Sequence, residues 1–160
     1  MNMKKLSMVL TTLFGIGLLI FNSCGTVPIT GRRQLNLVSD GEILAASATQ
    51  YRQFISKSQL SHNSTYNNKV TQVGRRLAAA TNIYLKQNGY ESMLSTLSWE
   101  FNVVDSKQVN AFCMPGGKIV VYTGLLNLVG NGAHSDDELA AVMGHELSHA
   151  LAKHANERIS

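Results

Sequence analysis

The chain has 160 residues, with 14 basic and 10 acidic side chains that give a net charge of +4. It contains no run of basic residues, which argues against nucleic-acid binding, and its two cysteines exclude a disulfide framework if one of them carries lipid. Its length suits a single domain with its own hydrophobic core.

The N-terminus has the features of an export signal. Two lysines precede the apolar stretch Leu6–Phe21, which is too short for a comfortable membrane span. Cys24 follows this stretch and a small residue, an arrangement that looks like a bacterial lipoprotein signal, cleaved before the cysteine that receives the lipid. The residues two and three positions before Cys24 fit that pattern poorly, so an ordinary secretory signal and an uncleaved anchor stay open. We predict a signal peptide at residues 1–23, a tether at 24–38 and a domain at 39–160.

Two helices are predicted for the first half of the domain. Ser39 and Glu42 have capping-box spacing, with a serine before the helix and a glutamate three positions later. This pattern predicts a helix that extends to about Ser58. A second helix is predicted from about Thr65 to Gln87, where an Asn-Gly pair ends it.

A small sheet is predicted after these helices. Leu97–Val104 alternates in part between apolar and polar side chains, and Lys118–Thr123 is β-branched and aromatic, so both segments are predicted strands. Met114–Gly117 has the composition of a tight turn, and Gly124–Val129 that of a short helix. The elements together predict an α+β fold, in which helices pack on a small antiparallel sheet.

A last helix is predicted near the C-terminus. Ser135 and Glu138 again have capping-box spacing. From there to about Ile159 no residue breaks a helix, since a single glycine is tolerated at a cost of ~1 kcal/mol. Much of its surface is apolar, which predicts a buried helix.

This last helix contains an HExxH motif, formed by His145, Glu146 and His149. On a helix the two histidines lie about 40° apart around the axis and about 6 Å apart along it, so both imidazoles can bind one zinc ion. Glu146 then stands where it can accept a proton from a zinc-bound water. The alternative is a chance match in an amphipathic helix, because the motif fixes only three positions.

No third zinc ligand is visible in the sequence. His154 lies on the opposite face of the predicted helix from His145, and Glu157 lies ~18 Å along the axis from His145, too far to share the ion. We therefore expect either a sequence that is truncated at its C-terminus or an incomplete site.

Several segments, taken together, resemble a known family. Asn110–Ile119, Val121–Leu126 and Asp137–Arg158 resemble the membrane-associated zinc metallopeptidases that include the HtpX heat-shock protease and the CAAX prenyl endopeptidase. Val27–Leu35 further resembles the lipoprotein, BepA-like branch. The resemblance implies a zincin-like fold of the gluzincin type with a central HExxH helix. It also implies one Zn²⁺ per domain, held by His145, His149 and a downstream glutamate that this sequence does not reach.

The resemblance implies a function as well. It implies a zinc-dependent endopeptidase of the bacterial cell envelope that hydrolyses misfolded or misassembled envelope proteins. The protein is expected on the periplasmic side, anchored to the membrane through lipidated Cys24, with the outer membrane favoured. The competing hypothesis is a non-catalytic lipoprotein that binds unfolded envelope proteins without cleaving them.

The family reading also gives a role to the segment before the predicted turn. Zincins hold an extended substrate as an added strand at a sheet edge, which predicts substrate binding by Asn110, Ala111 and Phe112. A plain edge strand without a substrate role is the alternative. Cys113 is expected to be a buried thiol rather than a nucleophile or a metal ligand, because its neighbours are apolar.

Overall fold

The computed structural model describes residues 24–26, 29, 31, 33–35 and 38–152, in which two short strands are followed by three helices, three strands and two further helices. The strands are β1 Cys24–Thr26, β2 Arg33–Leu35, β3 Glu100–Val104, β4 Ala111–Met114 and β5 Lys118–Tyr122. The helices are α1 Asp40–Lys57, α2 Ser64–Gln87, α3 Glu91–Leu94, α4 Thr123–Val129 and α5 Ser135–Leu151. Among these residues, no helix combines the length and the apolar character that a membrane crossing requires.

The first two long helices begin at side-chain caps. The capping box predicted before α1 is confirmed, because the Ser39 hydroxyl accepts from the Glu42 amide while the Glu42 carboxylate accepts from the Ser39 amide. Before α2, the Asn63 side chain accepts from two backbone amides of the first turn. The predicted end of α2 is also confirmed, since Asn88 is its C-cap and Gly89 has a φ of 77°.

The three-stranded sheet is mixed, with the order β3-β5-β4. The prediction of an antiparallel sheet is correct for β4 and β5, which the tight turn at residues 115–117 joins. It is wrong for β3 and β5, which pair in parallel from Glu100 opposite Lys118 to Val104 opposite Tyr122. The reason is that β5 inserts between β3 and β4, so the chain after β3 must pass the position of β5 before it turns back.

The central strand separates two apolar cores. Ile119, Val120 and Val121 of β5 are all fully buried, as expected for a strand that is covered on both faces. On one face, Val120 packs in a cluster with Tyr51 of α1. On the other face lies the larger core, which contains Val121 and residues of α2, α4 and α5: Val70, Val73, Leu125, Leu126, Leu139 and Met143.

The predicted tether contains a short antiparallel ladder, in which Cys24 of β1 stands opposite Leu35 of β2. The division into a signal, a tether and a domain stays a prediction, and residues 1–23 lie outside the described residues.

Helix α5 differs from the prediction at both ends. Its N-cap is His134, without a side-chain hydrogen bond, so the capping box predicted at Ser135 is wrong. The Ser135 hydroxyl is buried and accepts instead from Lys69 Nζ at 2.7 Å. The helix ends at Leu151, eight residues before the predicted end, and residues 153–160 lie outside the described part.

Candidate functional site

The two histidines of the motif lie side by side on the exposed face of α5. Their Nε2 atoms are 3.0 Å apart. The ring centroids are 4.5 Å apart, and the ring planes are nearly perpendicular at 86°. One helical turn between His145 and His149 therefore brings two imidazole nitrogens to a common point, as the sequence predicted.

This donor pair fits a zinc ion. Two zinc–nitrogen bonds of ~2.0–2.1 Å at a tetrahedral angle require nitrogens about 3.3 Å apart, close to the observed separation of 3.0 Å between His145 and His149. Neutral imidazole nitrogen is also a preferred zinc donor. Within the described residues, no group of three or more histidine, cysteine or acidic side chains is placed to hold a metal. Among the described residues, the donor set that fits a zinc ion is therefore this pair.

Buried side chains fix the helix that carries these histidines. Leu139, Met143 and Leu147 of α5 point into the protein and are almost completely buried. Leu77 of α2 approaches to 3.8 Å from the position that a Cβ on Gly144 would occupy. Helix α2 thus supports α5 directly beside His145, so the first histidine projects from a part of the helix that has little freedom to move.

Glu146 lies on the side of α5 that faces β4, near Cys113. Burial of the thiol raises the pKa of Cys113 to about 12, and the negative charge of Glu146 is the second cause. The Cys113 thiol donates weakly to the carbonyl of Met114 at 3.6 Å. It is therefore protonated at neutral pH, as expected for a structural thiol rather than a nucleophile or a thiolate ligand.

Strand β4 is an edge strand among the described strands, since β5 is its one partner in the sheet. Ala111 is buried in the core on the α5 side. Phe112 points to the opposite face, where its ring meets Phe54 at 5.2 Å in an edge-on contact. Asn110 precedes the strand, and its carbonyl accepts from the Tyr122 amide at 3.0 Å. Because the side chains of Ala111 and Phe112 are occupied within the protein, only their main chain is available to a peptide, and their substrate role stays a prediction.

A cavity of about 230 Å³ lies at the other side of α5, and the sequence did not predict it. Leu147 of its lining is about 200° around the helix from His145, so the cavity does not open at the histidines. Residues of α1, α3, the turn before β5 and the last turns of α5 line it, and its apolar lining includes Leu44, Met93, Leu97, Pro115, Leu147 and Leu151. No periodicity in the sequence marks it, because it forms where four separate segments meet.

Comparison with known proteins assigns the chain to a family. The family model for peptidase family M48 matches residues 64–160. The mitochondrial metalloendopeptidase OMA1 of Arabidopsis thaliana is 51% identical over 75 residues, 47% of this chain and 15% of that protein. Bos taurus OMA1 is 30% identical over 136 residues, 83% of this chain and 24% of that protein. Schizosaccharomyces pombe OMA1 is 32% identical over 146 residues, 91% of this chain and 40% of that protein.

These relatives correct one prediction. All three are mitochondrial proteins, so the predicted location in a bacterial cell envelope is wrong. The prediction rested on a short apolar stretch after two lysines, a pattern that does not identify a particular membrane system. The lipoprotein branch is not distinguished by the family match, and lipid attachment at Cys24, the first residue of β1, stays a prediction. The chain spans 15% to 40% of the length of these relatives.

Proposed function

Since the chain belongs to peptidase family M48, we propose that it forms part of a zinc-dependent endopeptidase that hydrolyses peptide bonds of protein substrates. One observation supports this most directly: the Nε2 atoms of His145 and His149 converge to 3.0 Å on an exposed helix face. Glu146 is the next residue after the first histidine and lies on the flank of that face. A structural role alone requires neither an exposed imidazole pair nor an acid beside it.

In this proposal His145 and His149 hold the metal, and Glu146 acts as the general base. Zinc bound there supplies the Lewis acidity that polarises a scissile carbonyl and acidifies water. The Glu146 carboxylate accepts the proton of the attacking water and passes it to the departing amine nitrogen. A catalytic zinc usually has three protein ligands, so a further ligand from outside residues 38–152 is part of the proposal, as in the gluzincin type.

The proposed substrate is an extended polypeptide that pairs with the edge of β4. Strand β4 packs beside α5 and carries an edge without a strand partner among the described residues. Main-chain pairing with Asn110, Ala111 and Phe112 would hold a peptide by its backbone. Such pairing does not depend on the sequence of the peptide, so a broad range of unfolded segments is the expected substrate class.

The test uses the full-length protein and three variants. Glu146→Gln should keep zinc and lose ~10²–10⁴-fold in casein hydrolysis, because glutamine cannot accept the proton of water. His145→Ala should lose both zinc and hydrolysis, because it removes a ligand. Glu138→Gln is the matched control: this glutamate is exposed in the first turn of the same helix, so its variant should behave like the wild type.

Zinc content by atomic absorption and casein hydrolysis with and without a chelator are the measurements. Hydrolysis that persists in Glu146→Gln at the level of Glu138→Gln would refute the mechanism. The alternative is a non-catalytic protein that binds unfolded chains. It would be supported if the wild-type protein bound unfolded casein without any chelator-sensitive cleavage.

A further inference from the structure

Helix α2 has an unusual charge distribution for an outer helix. Its 24 residues contain Lys69, Arg75, Arg76 and Lys86 but no aspartate or glutamate. Lys69 is turned inward, where its Nζ donates to the Gly130 carbonyl at 2.8 Å and to Ser135 Oγ. The other three basic side chains are exposed, so the outer surface of the helix is purely basic in its charge.

The same surface exposes a large apolar side chain. Ile83 is 56% exposed, which makes it one of the few large apolar residues left in solvent among the described residues. At 100° per residue, Ile83 lies about 20° around the helix from Arg76, while Arg75 and Lys86 flank it on one side. Tyr84 lies about 180° around the helix from Arg75 and is not part of this face. We refer to Arg75, Arg76, Ile83 and Lys86 as the α2 outer patch.

The acidic first turn of α5 lies away from this patch, near the N-terminal part of α2. The acidic first turn of α5 is beside Lys69, whose Nζ is 3.6 Å from Asp136. That contact is about 10 Å along the helix from Arg76 and about 25 Å from Lys86. Glu91 opens α3 beyond the C-terminal end of α2. Among the described residues, the ion pairs involve Lys69, Lys118 and His134, and none includes a basic residue of the patch.

We propose that the α2 outer patch docks on an anionic phospholipid surface. Helices that lie on membranes combine apolar side chains that enter the headgroup region with flanking lysines and arginines that attract acidic lipids. The patch has both components. It is an exposed face of one helix rather than a groove that could enclose a peptide, and its basic charge is complementary to that of acidic lipid. Each basic residue near such a surface raises the partition coefficient about five-fold.

Docking in this way would determine how the catalytic helix is held relative to the membrane. Helix α2 packs on α5 at Leu77 and Gly144, one residue before His145. A bilayer that binds the outside of α2 would therefore keep the histidine pair at a fixed height above the lipid. The inference does not depend on the proposed proteolysis, because it concerns the opposite side of α2.

The experiment compares two triple charge reversals in the full chain. The patch variant carries Arg75→Glu, Arg76→Glu and Lys86→Glu. The control variant carries the same change in net charge at three exposed basic residues elsewhere: Arg52→Glu, Lys57→Glu and Lys107→Glu. Two of the control positions lie on α1, which packs on the other face of the sheet.

Flotation is measured with vesicles of phosphatidylcholine alone and of equimolar phosphatidylcholine and phosphatidylglycerol. The ratio of the two partition coefficients cancels any binding by the rest of the chain that ignores lipid charge. The patch variant should lower this ratio at least ~100-fold, and the control variant should keep most of it. Circular dichroism confirms that both variants are folded.

The remaining outcomes overturn the proposal. If the two triple variants lose the preference for anionic vesicles equally, the attraction comes from the net charge of the protein and not from the α2 outer patch. If the patch variant keeps its preference, the patch does not contact lipid, and an acidic protein partner becomes the better occupant. Ile83→Ser adds an independent check, since it should weaken binding to anionic vesicles without changing the charge.

Discussion

Single backbone positions decide how closely the elements around the site approach one another. Gly124 lies at the start of α4, where its amide donates to the Ser106 carbonyl at 2.8 Å. A Cβ at this position would overlap with the carbonyl oxygens of Lys107 and Gln108. These are backbone atoms of the loop that leads into β4, so the loop itself would have to move. The requirement is therefore steric and specific to this glycine.

Gly124→Ala should lower the free energy of unfolding by ~1–3 kcal/mol, as overpacking typically does. Gly144→Ala is the matched control in the same core, because its nearest neighbour, Leu77, is at an ordinary contact distance of 3.8 Å. There alanine should be neutral or should stabilise α5 by up to ~1 kcal/mol. Urea unfolding of both variants tests the difference, and equal losses would contradict it.

Cys113 provides a second test at the scale of one residue. Burial, followed by the charge of Glu146, raises its pKa to about 12, so the thiolate fraction at pH 8 is about 10⁻⁴, compared with about a quarter for a free thiol of pKa ~8.5. In chelator-treated protein, iodoacetamide should modify Cys113 at least ~100-fold more slowly than in the urea-unfolded chain. Peptide mass spectrometry measures both rates, and similar rates would show that the thiol is accessible and ionised.

At the scale of an element, helix starts show what local sequence determines. Asn63 caps α2 through its Oδ1, which accepts from the amides of Thr65 at 3.0 Å and Tyr66 at 3.2 Å. Without the cap these donors have no protein partner at the helix end. The next residue, Ser64, is already helical and exposed.

Asn63→Ala should therefore cost ~1 kcal/mol of stability, the usual value for a lost N-cap. Ser64→Ala should change it by less than ~0.5 kcal/mol, because an exposed position in the first turn has no comparable bond. Thermal or urea unfolding distinguishes the two. A larger loss for Ser64→Ala would place the cap one residue later than the structure does.

The two predicted capping boxes explain why such patterns succeed or fail. Ser39 is exposed, and its hydroxyl accepts from the Glu42 amide and donates to the Glu42 carboxylate, as the spacing predicts. Ser135 has the same spacing to Glu138, but its hydroxyl bonds Lys69, which is 66 residues away in sequence. A local pattern determines a local bond only where no distant side chain offers a better one.

The sheet shows the same limit. The strand segments were predicted from composition and alternation, and the structure confirms β3 and β5 within a few residues. The parallel pairing of Phe101 with Ile119 was not predicted, because a register between distant segments depends on which edges remain free after the β4–β5 hairpin forms. Neither strand carries a residue that marks its direction.

At the scale of the whole molecule, the candidate site also has one part that the sequence predicts and other parts that it does not. The histidine pair was predictable because one helical turn determines it. The position of Glu146 near Cys113 was not, because it depends on β4 packing beside α5. The cavity on the other side of α5 also depends on four segments that meet only in the folded protein.

The sheet also predicts how the molecule unfolds. Val120 and Val121 are adjacent in β5, and both are fully buried. Val120 faces the core that contains Tyr51 of α1, and Val121 faces the larger core between the sheet and helices α2 and α5. Because one strand belongs to both cores, neither can lose its order alone. Val120→Ala and Val121→Ala should each cost about 1–3 kcal/mol, between the usual costs of Ile→Val and Leu→Ala, within a single cooperative transition.

Urea unfolding followed by far-ultraviolet circular dichroism and by the fluorescence of Trp99, the single tryptophan, which packs on the α2–α5 side, should give one midpoint in each variant. Val109→Ala, at a side chain that is 59% exposed, is the control and should shift the midpoint little. If Val120→Ala instead separated the two signals into distinct transitions, the two cores would be independent. The β4 edge would then be attached to α5 less firmly than the proposed strand addition of a substrate requires.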